Sequence, residues 1–141
     1  MKNYSELLAT DTLIPITIEV EPVGSPEVQL IINDNIINYS VLTNSIIITD
    51  FAQLLSPITV SVELINKHYT LEYETAVVIK RLSIDNINLI PEYDYLAEYS
   101  NDHNNNNPTH YLGFNGKWTL TIDRPFYQWL HLAQAQGWLL S

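Results

Sequence analysis

Apolar residues that recur at every second position are the feature that most constrains the fold of this chain. In residues 14–20, and again in residues 58–64, isoleucine, valine or leucine occupies each alternate position. A period of two places the apolar side chains of an extended strand on one face, which must be buried. No segment carries the long amphipathic helical pattern that an α/β fold requires. The chain is therefore predicted to be all-β.

Turn signals divide the first two thirds of the chain into further short strands. Asn33-Asp34-Asn35 tolerates the left-handed backbone of a tight turn, so residues 28–41 are predicted to form a hairpin. Residues 45–49 are β-branched and apolar on both faces, as expected for a central strand. The remaining predicted elements here are a connector at 51–55, a return strand at 68–73, and a strand at 76–84 that contains a bulge.

The last third of the chain contains a second sequence signal for a hairpin. Asn115-Gly116 favours a tight turn, so residues 111–114 and 118–122 are predicted to pair across it. Trp118 shares an alternating face with Leu120 and Ile122. We therefore expect Trp118 to lie in the core.

Two segments depart from this pattern. Residues 91–110 show no periodicity, and a loop of that length is usually functional or disordered. In residues 126–136, glutamine, alanine and leucine favour a helix that Gly137 would cap. Residues 126–130 are also compatible with a strand that turns near Gly137, and we favour the strand.

About eight or nine short strands separated by turns indicate an antiparallel β-sandwich of the jelly-roll type. A length of 141 residues fits one domain. We therefore predict a single β-sandwich domain over residues 1–141, with a long irregular loop at 91–110.

Charge and composition exclude several classes of partner. The net charge is −10, and only six residues are lysine or arginine, so the chain lacks the basic face that nucleic acids or anionic membranes require. There is no cysteine, and the N-terminal residues lack the apolar region of a signal peptide. The longest apolar runs fall far short of the roughly 20 residues of a membrane span. A neutral glycan or a basic protein surface remains as a partner.

Catalytic motifs are missing from the sequence. No Gly-x-Ser-x-Gly segment occurs, and the four glycines are too scattered for a phosphate-binding loop. We assign no catalytic residue and expect no enzyme activity.

Metal-binding signals are weak. Asp94, Glu98 and Asp102 lie in the long loop with Glu92, where carboxylate oxygens could bind calcium, but no Asp-x-Asp-x-Asp-Gly pattern is present. His103 and His110 flank an asparagine run beside these acids, but their spacing matches no zinc template, which favours a solvated loop. We expect no cofactor, with calcium as the alternative.

Aromatic residues in and near the C-terminal third are better candidates for binding than the acidic residues and histidines. Their rings would pack against a partner protein or stack on sugar rings, while nearby asparagine and aspartate side chains would bind hydroxyl groups. The predicted contact residues are Tyr93, Tyr95, Tyr99, Tyr111, Trp129 and Trp138.

Three pieces of the sequence together resemble small β-sandwich structural proteins of tailed bacteriophages. They are the hairpin around residues 28–35, the strands at 58–64 and 76–87, and the C-terminal segment from Leu112 through Trp118 and Trp129 to Trp138. The strand pattern is also similar to that of calcium-dependent carbohydrate-binding modules with a jelly-roll sandwich. The calcium ligands of those modules cannot be matched to positions in this chain.

The first resemblance implies a non-enzymatic virion protein of a tail, baseplate, fibre or capsid surface. Such a protein would be assembled in the host cytoplasm, would be oligomeric or present in many copies, and would dock onto other virion proteins. The second resemblance implies a carbohydrate-binding module that recognises a host-surface glycan. Both functions are compatible in one protein.

Overall fold

The computed structural model describes residues 12–65, 75–90, 92–102 and 110–140, with the side chains of Asp94 and of residues 136–140 outside this description. Along these residues lie ten strands, one short 3-10 turn and one helix. The strands are β1 Leu13–Val23, β2 Glu27–Ile32, β3 Asn35–Val41, β4 Ile46–Gln53, β5 Ile58–Leu64, β6 Ala76–Ile84, β7 Ile87–Asn88, β8 Glu98–Asn101, β9 Tyr111–Leu112 and β10 Gly116–Ile122. The 3-10 turn is Asp94–Leu96, and helix α1 is Phe126–Leu140.

The strands form two antiparallel sheets. In the first sheet the order is β4-β1-β6-β7, and β9 pairs with the other end of β6. In the second sheet the order is β3-β2-β5-β10-β8. Apolar side chains from both sheets form one core, which confirms the predicted β-sandwich. Neither described helical segment is long and apolar enough to cross a membrane.

The core is built from the alternating residues that the sequence pattern identified. In β1 every second residue from Ile14 to Val20 is buried, and β5 and β10 repeat this arrangement in the second sheet. Trp118 lies opposite Val62 on one side and Tyr99 on the other, and it is fully buried at 0% exposure. The prediction that Trp118 belongs to the core is confirmed.

Two local predictions agree with the structure. Strands β2 and β3 form the hairpin expected at 28–41, and Asn33 and Asp34 adopt the positive φ angles of a tight turn, 50° and 67°. The bulge expected in 76–84 lies at Lys80, because Arg81 pairs with Glu19 while Ile79 pairs with Val20. The return strand predicted at 68–73 lies outside the described residues.

The position predicted for residues 45–49 is wrong. Among the described residues, strand β4 pairs with β1 alone, so it lies at the edge of the described sheet and not at its centre. It also extends to Gln53, through most of the segment predicted as a connector. A β-branched apolar run favours a strand, but it does not determine how many neighbours that strand has.

The hairpin predicted at Asn115-Gly116 is also wrong. Strand β9 pairs with β6 in the first sheet, whereas β10 pairs with β5 and β8 in the second, so these two residues lie where the chain crosses between sheets. Gly116 is needed there for close approach, since a Cβ atom on it would lie 2.3 Å from the carbonyl oxygen of Ser100. The glycine serves strand packing and not a tight turn.

Residues 126–136 are helical, contrary to the strand that we favoured. Phe126, Trp129, Leu130 and Ala133 are buried and recur at intervals of three and four residues, which places them on one helical face. The carbonyl of Pro125 accepts the Trp129 N–H at 3.0 Å in the first turn.

The segment 91–110 is more regular than predicted. Within its described part, the 3-10 turn at Asp94–Leu96 is followed directly by strand β8, which pairs with β10. Pairing with β10 explains the difference, because β8 is ordered by a neighbour that is distant in sequence. Residues 103–109 lie outside the described part.

Candidate functional site

A shallow pocket of about 170 Å³ lies between α1, the 3-10 turn and the segment that joins β10 to α1. Its volume is small compared with typical ligand pockets of about 300–1,000 Å³, and it suits a group of about one ring. The pocket is lined by Leu96, Asp123, Arg124, Trp129, Leu132 and Ala133.

Helix α1 supplies the apolar side of the pocket. Trp129, Leu132 and Ala133 are spaced by three and four residues, so they share one face of the helix. Leu132 is 40% exposed, whereas Trp129 is only 8% exposed. Most of the lining that α1 presents to a ligand is therefore aliphatic.

The Trp129 ring is held in place by two aromatic neighbours. It stacks on Phe126 with 6.2 Å between ring centroids, and Tyr93 approaches it edge-on at 6.0 Å. Such offset and edge-to-face contacts are favourable because of the charge distribution of aromatic rings. They fix one wall of the pocket before any ligand arrives.

Asp123 and Arg124 form the polar side of the pocket. The Arg124 Nε atom donates to Asp123 Oδ1 at 2.9 Å, and Nη2 donates to Oδ2 at 3.3 Å, so the pair is bidentate. The hydrogen bond from Arg124 lowers the pKa of Asp123, and the same bond raises the pKa of Arg124. Both residues therefore stay charged at neutral pH and cancel each other.

An exposed ion pair of this kind contributes little to stability. The two side chains are 60% and 42% exposed, so their remaining acceptors and donors face solvent. The pocket thus combines aliphatic surface with a flat, neutral pair that both donates and accepts hydrogen bonds. This combination suits an uncharged ligand with apolar faces and hydroxyl groups.

The predicted contact residues are distributed unevenly. Trp129 lines the pocket and Tyr93 packs against its ring, although both side chains belong largely to the core packing. Tyr95, at 39% exposed, precedes the pocket residue Leu96 in the 3-10 turn. Tyr111 is 42% exposed but belongs to β9 in the first sheet. The side chain of Trp138 lies outside the described part of the chain.

The structure corrects the role assigned to Tyr99. This residue is 5% exposed on the inner face of β8. Its hydroxyl oxygen accepts the Phe114 N–H at 3.0 Å and donates to the Phe114 carbonyl. Tyr99 therefore ties β8 to the chain crossing and is not available to a partner.

The calcium candidates lie in the 3-10 turn and at the two ends of β8. Glu98 begins β8 and Asp102 follows its end, with three residues of the strand between them. The side chain of Asp94 lies outside the description. Across the described residues, no three histidine, aspartate or glutamate side chains are grouped as metal ligands.

Sequence reasoning missed the polar half of the pocket. Asp123 and Arg124 looked like the end of a strand, and only the fold places them beside α1. Adjacent opposite charges directly before Pro125 and the Phe126-x-x-Trp129 spacing are the sequence signal that would have identified them.

The fold is similar to that of two solved carbohydrate-binding module structures. A selenomethionine form of vCBM60, described with a circular permutation that links two families of calcium-dependent carbohydrate-binding modules, is 15% identical. The match covers 79% of this chain and 91% of that chain, with a TM-score of 0.53. vCBM60 in complex with galactobiose is 14% identical over 77% of this chain and 97% of that chain, with a TM-score of 0.51. No family model matches the chain, and no curated protein matches it in sequence.

Proposed function

We propose that this protein is a non-catalytic carbohydrate-binding module that recognises a neutral glycan at the pocket beside α1. The observation that carries the proposal is the pairing of aliphatic surface from Leu96 and Leu132 with the bidentate Asp123–Arg124 pair in one pocket. Sugars present apolar ring faces and hydroxyl groups in just this combination.

Two further observations support glycan binding. The similar structures are carbohydrate-binding modules, and one of them holds galactobiose. The net charge of −10 disfavours anionic ligands, and the Asp123–Arg124 pair adds no net charge to the pocket. A neutral sugar fits both conditions.

Binding without catalysis fits the electrostatics of the pocket. Glycoside hydrolysis requires a general acid whose pKa is raised, so that it keeps its proton near neutral pH. The Arg124 hydrogen bond moves the pKa of Asp123 in the opposite direction. Asp123 is therefore suited to accept hydrogen bonds from hydroxyl groups and unsuited to donate a proton to a leaving group.

A glycan array followed by isothermal titration calorimetry tests the proposal, with galactobiose as the first soluble probe. Arg124→Ala should weaken binding about 10- to 100-fold, because hydrogen bonds to charged groups contribute about 1.5–3 kcal/mol. Arg81→Ala is the matched control, since Arg81 is an exposed arginine paired with Glu19 on the first sheet, away from the pocket. It should bind like the unaltered protein.

Two results would count against this assignment. A chain that is folded and retains no glycan on the array has no such function. Equal losses for Arg124→Ala and Arg81→Ala would place binding elsewhere on the surface.

Location on a phage particle remains a prediction from the sequence. The two similar structures favour glycan binding over docking to virion proteins as the main activity. A module carried in many copies on a particle assembled in the host cytoplasm would bind a host-surface glycan. Mass spectrometry of purified phage particles tests this location. If the protein is absent from every particle fraction, the hypothesis is wrong.

A further inference from the structure

Asn115-Gly116 is the one place in the chain where a glycine directly follows an asparagine. Such a pair is chemically reactive, because a glycine without a side chain lets its main-chain nitrogen approach the asparagine side chain. The Gly116 nitrogen gives its proton to solvent and bonds to Asn115 Cγ, and the Cγ–Nδ2 bond breaks as ammonia leaves. Water then opens the cyclic succinimide to aspartate, or to isoaspartate if it adds to the main-chain carbonyl. The chain therefore carries a chemically competent deamidation pair.

The β-sheet occupies the nitrogen that this reaction needs. The Asp102 N–H donates to the Asn115 carbonyl at 3.1 Å, so the backbone groups of Gly116, the next residue, point to the opposite neighbour, β5. Gly116 is paired there with Leu64. The Ile65 N–H donates to β2 at 3.1 Å, which leaves the backbone groups of Leu64 directed at β10. The Gly116 N–H is therefore part of the ladder between β10 and β5.

Tyr99 holds the peptide unit on the other side of Asn115. Its hydroxyl oxygen accepts the Phe114 N–H at 3.0 Å and donates to the Phe114 carbonyl, whose carbon is bonded to the Asn115 nitrogen. Ring closure requires the backbone to rotate about Asn115 until the Gly116 nitrogen meets the side chain. The hydrogen bonds from Tyr99, Asp102 and β5 all resist this rotation.

We propose that Asn115 is a site of spontaneous deamidation that reacts only when the start of β10 opens locally, and that Tyr99 controls how often it opens. Local opening of a strand end without global unfolding is a general property of folded domains. Water is the only co-reactant that the reaction consumes.

The packing at Gly116 makes the modification consequential. A Cβ atom on Gly116 would lie 2.3 Å from the Ser100 carbonyl oxygen, so the backbone has no spare space at this crossing. Isoaspartate inserts one extra carbon into the main chain directly before Gly116. The modified chain therefore cannot restore the original pairing of Gly116 with both β5 and β8, and deamidation leaves this end of β10 permanently weakened.

Peptide mass spectrometry after incubation in mildly alkaline buffer tests the proposal, since deamidation replaces an amide nitrogen with oxygen. Asn115 should react at least about tenfold more slowly in the folded protein than in concentrated urea, because opening must precede ring closure. Tyr99→Phe should raise the rate in buffer about 5- to 100-fold, because losing the hydroxyl weakens the closed state, and should leave the rate in urea unchanged.

Two variants serve as controls. Tyr95→Phe removes the hydroxyl of a tyrosine that is 39% exposed and should not alter the rate in either condition. Asn115→Gln should abolish the mass change, because the longer side chain forms the ring far more slowly. Circular dichroism establishes that each variant is folded in buffer.

A second measurement uses the unaltered protein and replaces Tyr99→Phe if that variant does not fold. In urea concentrations below the unfolding transition, the deamidation rate should rise less steeply than the globally unfolded fraction, because local opening exposes less surface. A rate that follows global unfolding would overturn the proposal. Equal rates in buffer and urea, or a folded Tyr99→Phe variant that reacts like the unaltered protein, would do the same. The result is independent of glycan binding.

Discussion

At the scale of single residues, Tyr99 shows how one side chain connects two sheets. Its ring lies in the core beside Trp118, and its hydroxyl group both accepts from and donates to the backbone of Phe114. Phe114 lies between β9 and β10, where the chain leaves the first sheet for the second. The tyrosine therefore holds the crossing, and Gly116 allows the backbone to pass close to β8.

Tyr99→Phe should reduce the free energy of unfolding by about 1–3 kcal/mol, because it leaves the half-buried Phe114 amide without this acceptor. The ring is retained, so no cavity forms. Urea denaturation measures this change in the free energy of unfolding. The comparison holds if the slope of that free energy against urea concentration is the same for both proteins. Tyr95→Phe is the matched control, since Tyr95 is 39% exposed, and it should shift the midpoint very little. A Tyr99→Phe variant as stable as the unaltered protein would mean that water replaces the hydroxyl group without cost.

At the scale of elements, α1 is attached to the sandwich at its first turn. Tyr127 donates a hydrogen bond to Asp85 in the turn between β6 and β7, and the Asp85 N–H in turn donates to the Pro15 carbonyl at 2.8 Å. The helix that forms one wall of the pocket is thus connected to β1 and β6 of the first sheet. This attachment positions the pocket residues that follow Tyr127 by two and five positions, Trp129 and Leu132.

The Tyr127–Asp85 hydrogen bond should make stability depend on alkaline pH. Because the bond favours the protonated phenol, the pKa of Tyr127 lies above its ordinary value near 10. A folded-state pKa that is raised stabilises the fold below the unfolded pKa, and this contribution is lost as pH rises through the folded pKa. Tyr127→Phe should therefore melt below the unaltered protein at pH 8, and the gap should narrow as the pH rises above about 10.

Tyr39 also has a raised pKa, caused by its hydrogen bond to Glu27. Tyr39 is present in both the unaltered protein and the Tyr127→Phe variant. The effect of Tyr39 titration on stability therefore cancels when their melting temperatures are compared across pH. A constant difference between the curves from pH 8 to pH 11 would contradict the titration of Tyr127 as the cause.

At the scale of the whole molecule, the period-two pattern predicted the strands but not their neighbours. Residues 14–20 and 58–64 had to bury one face, and they do so on opposite sheets of one core. Pairing is decided by contacts distant in sequence, so the edge position of β4 and the sheet change at Asn115-Gly116 could not be derived from local pattern. In 126–136, apolar residues at helical spacing coincide with an aromatic run that is typical of strands, and packing selects the helix.

For the candidate site, too, the sequence predicted residue types but not their tertiary surroundings. Aromatic residue types indicated binding, but burial assigns Tyr99 and most of Trp129 to packing. The Asp123–Arg124 pair becomes part of a pocket only because α1 and the 3-10 turn pack beside it. Residue identity could be read from the sequence, whereas the accessibility that separates a contact residue from a core residue arises from tertiary structure.

The metal dependence of the whole molecule gives a final prediction. The similar structures are calcium-dependent modules, but the described acidic residues of this chain do not group around an ion. The glycan binding proposed at the Asp123–Arg124 pocket relies on the donors and acceptors of that pair and not on a metal. Dialysis against a calcium chelator should therefore leave glycan affinity and the melting temperature unchanged. A melting temperature that rises with calcium concentration would instead show that the folded chain binds the ion, because a ligand that binds only the folded state stabilises it by mass action.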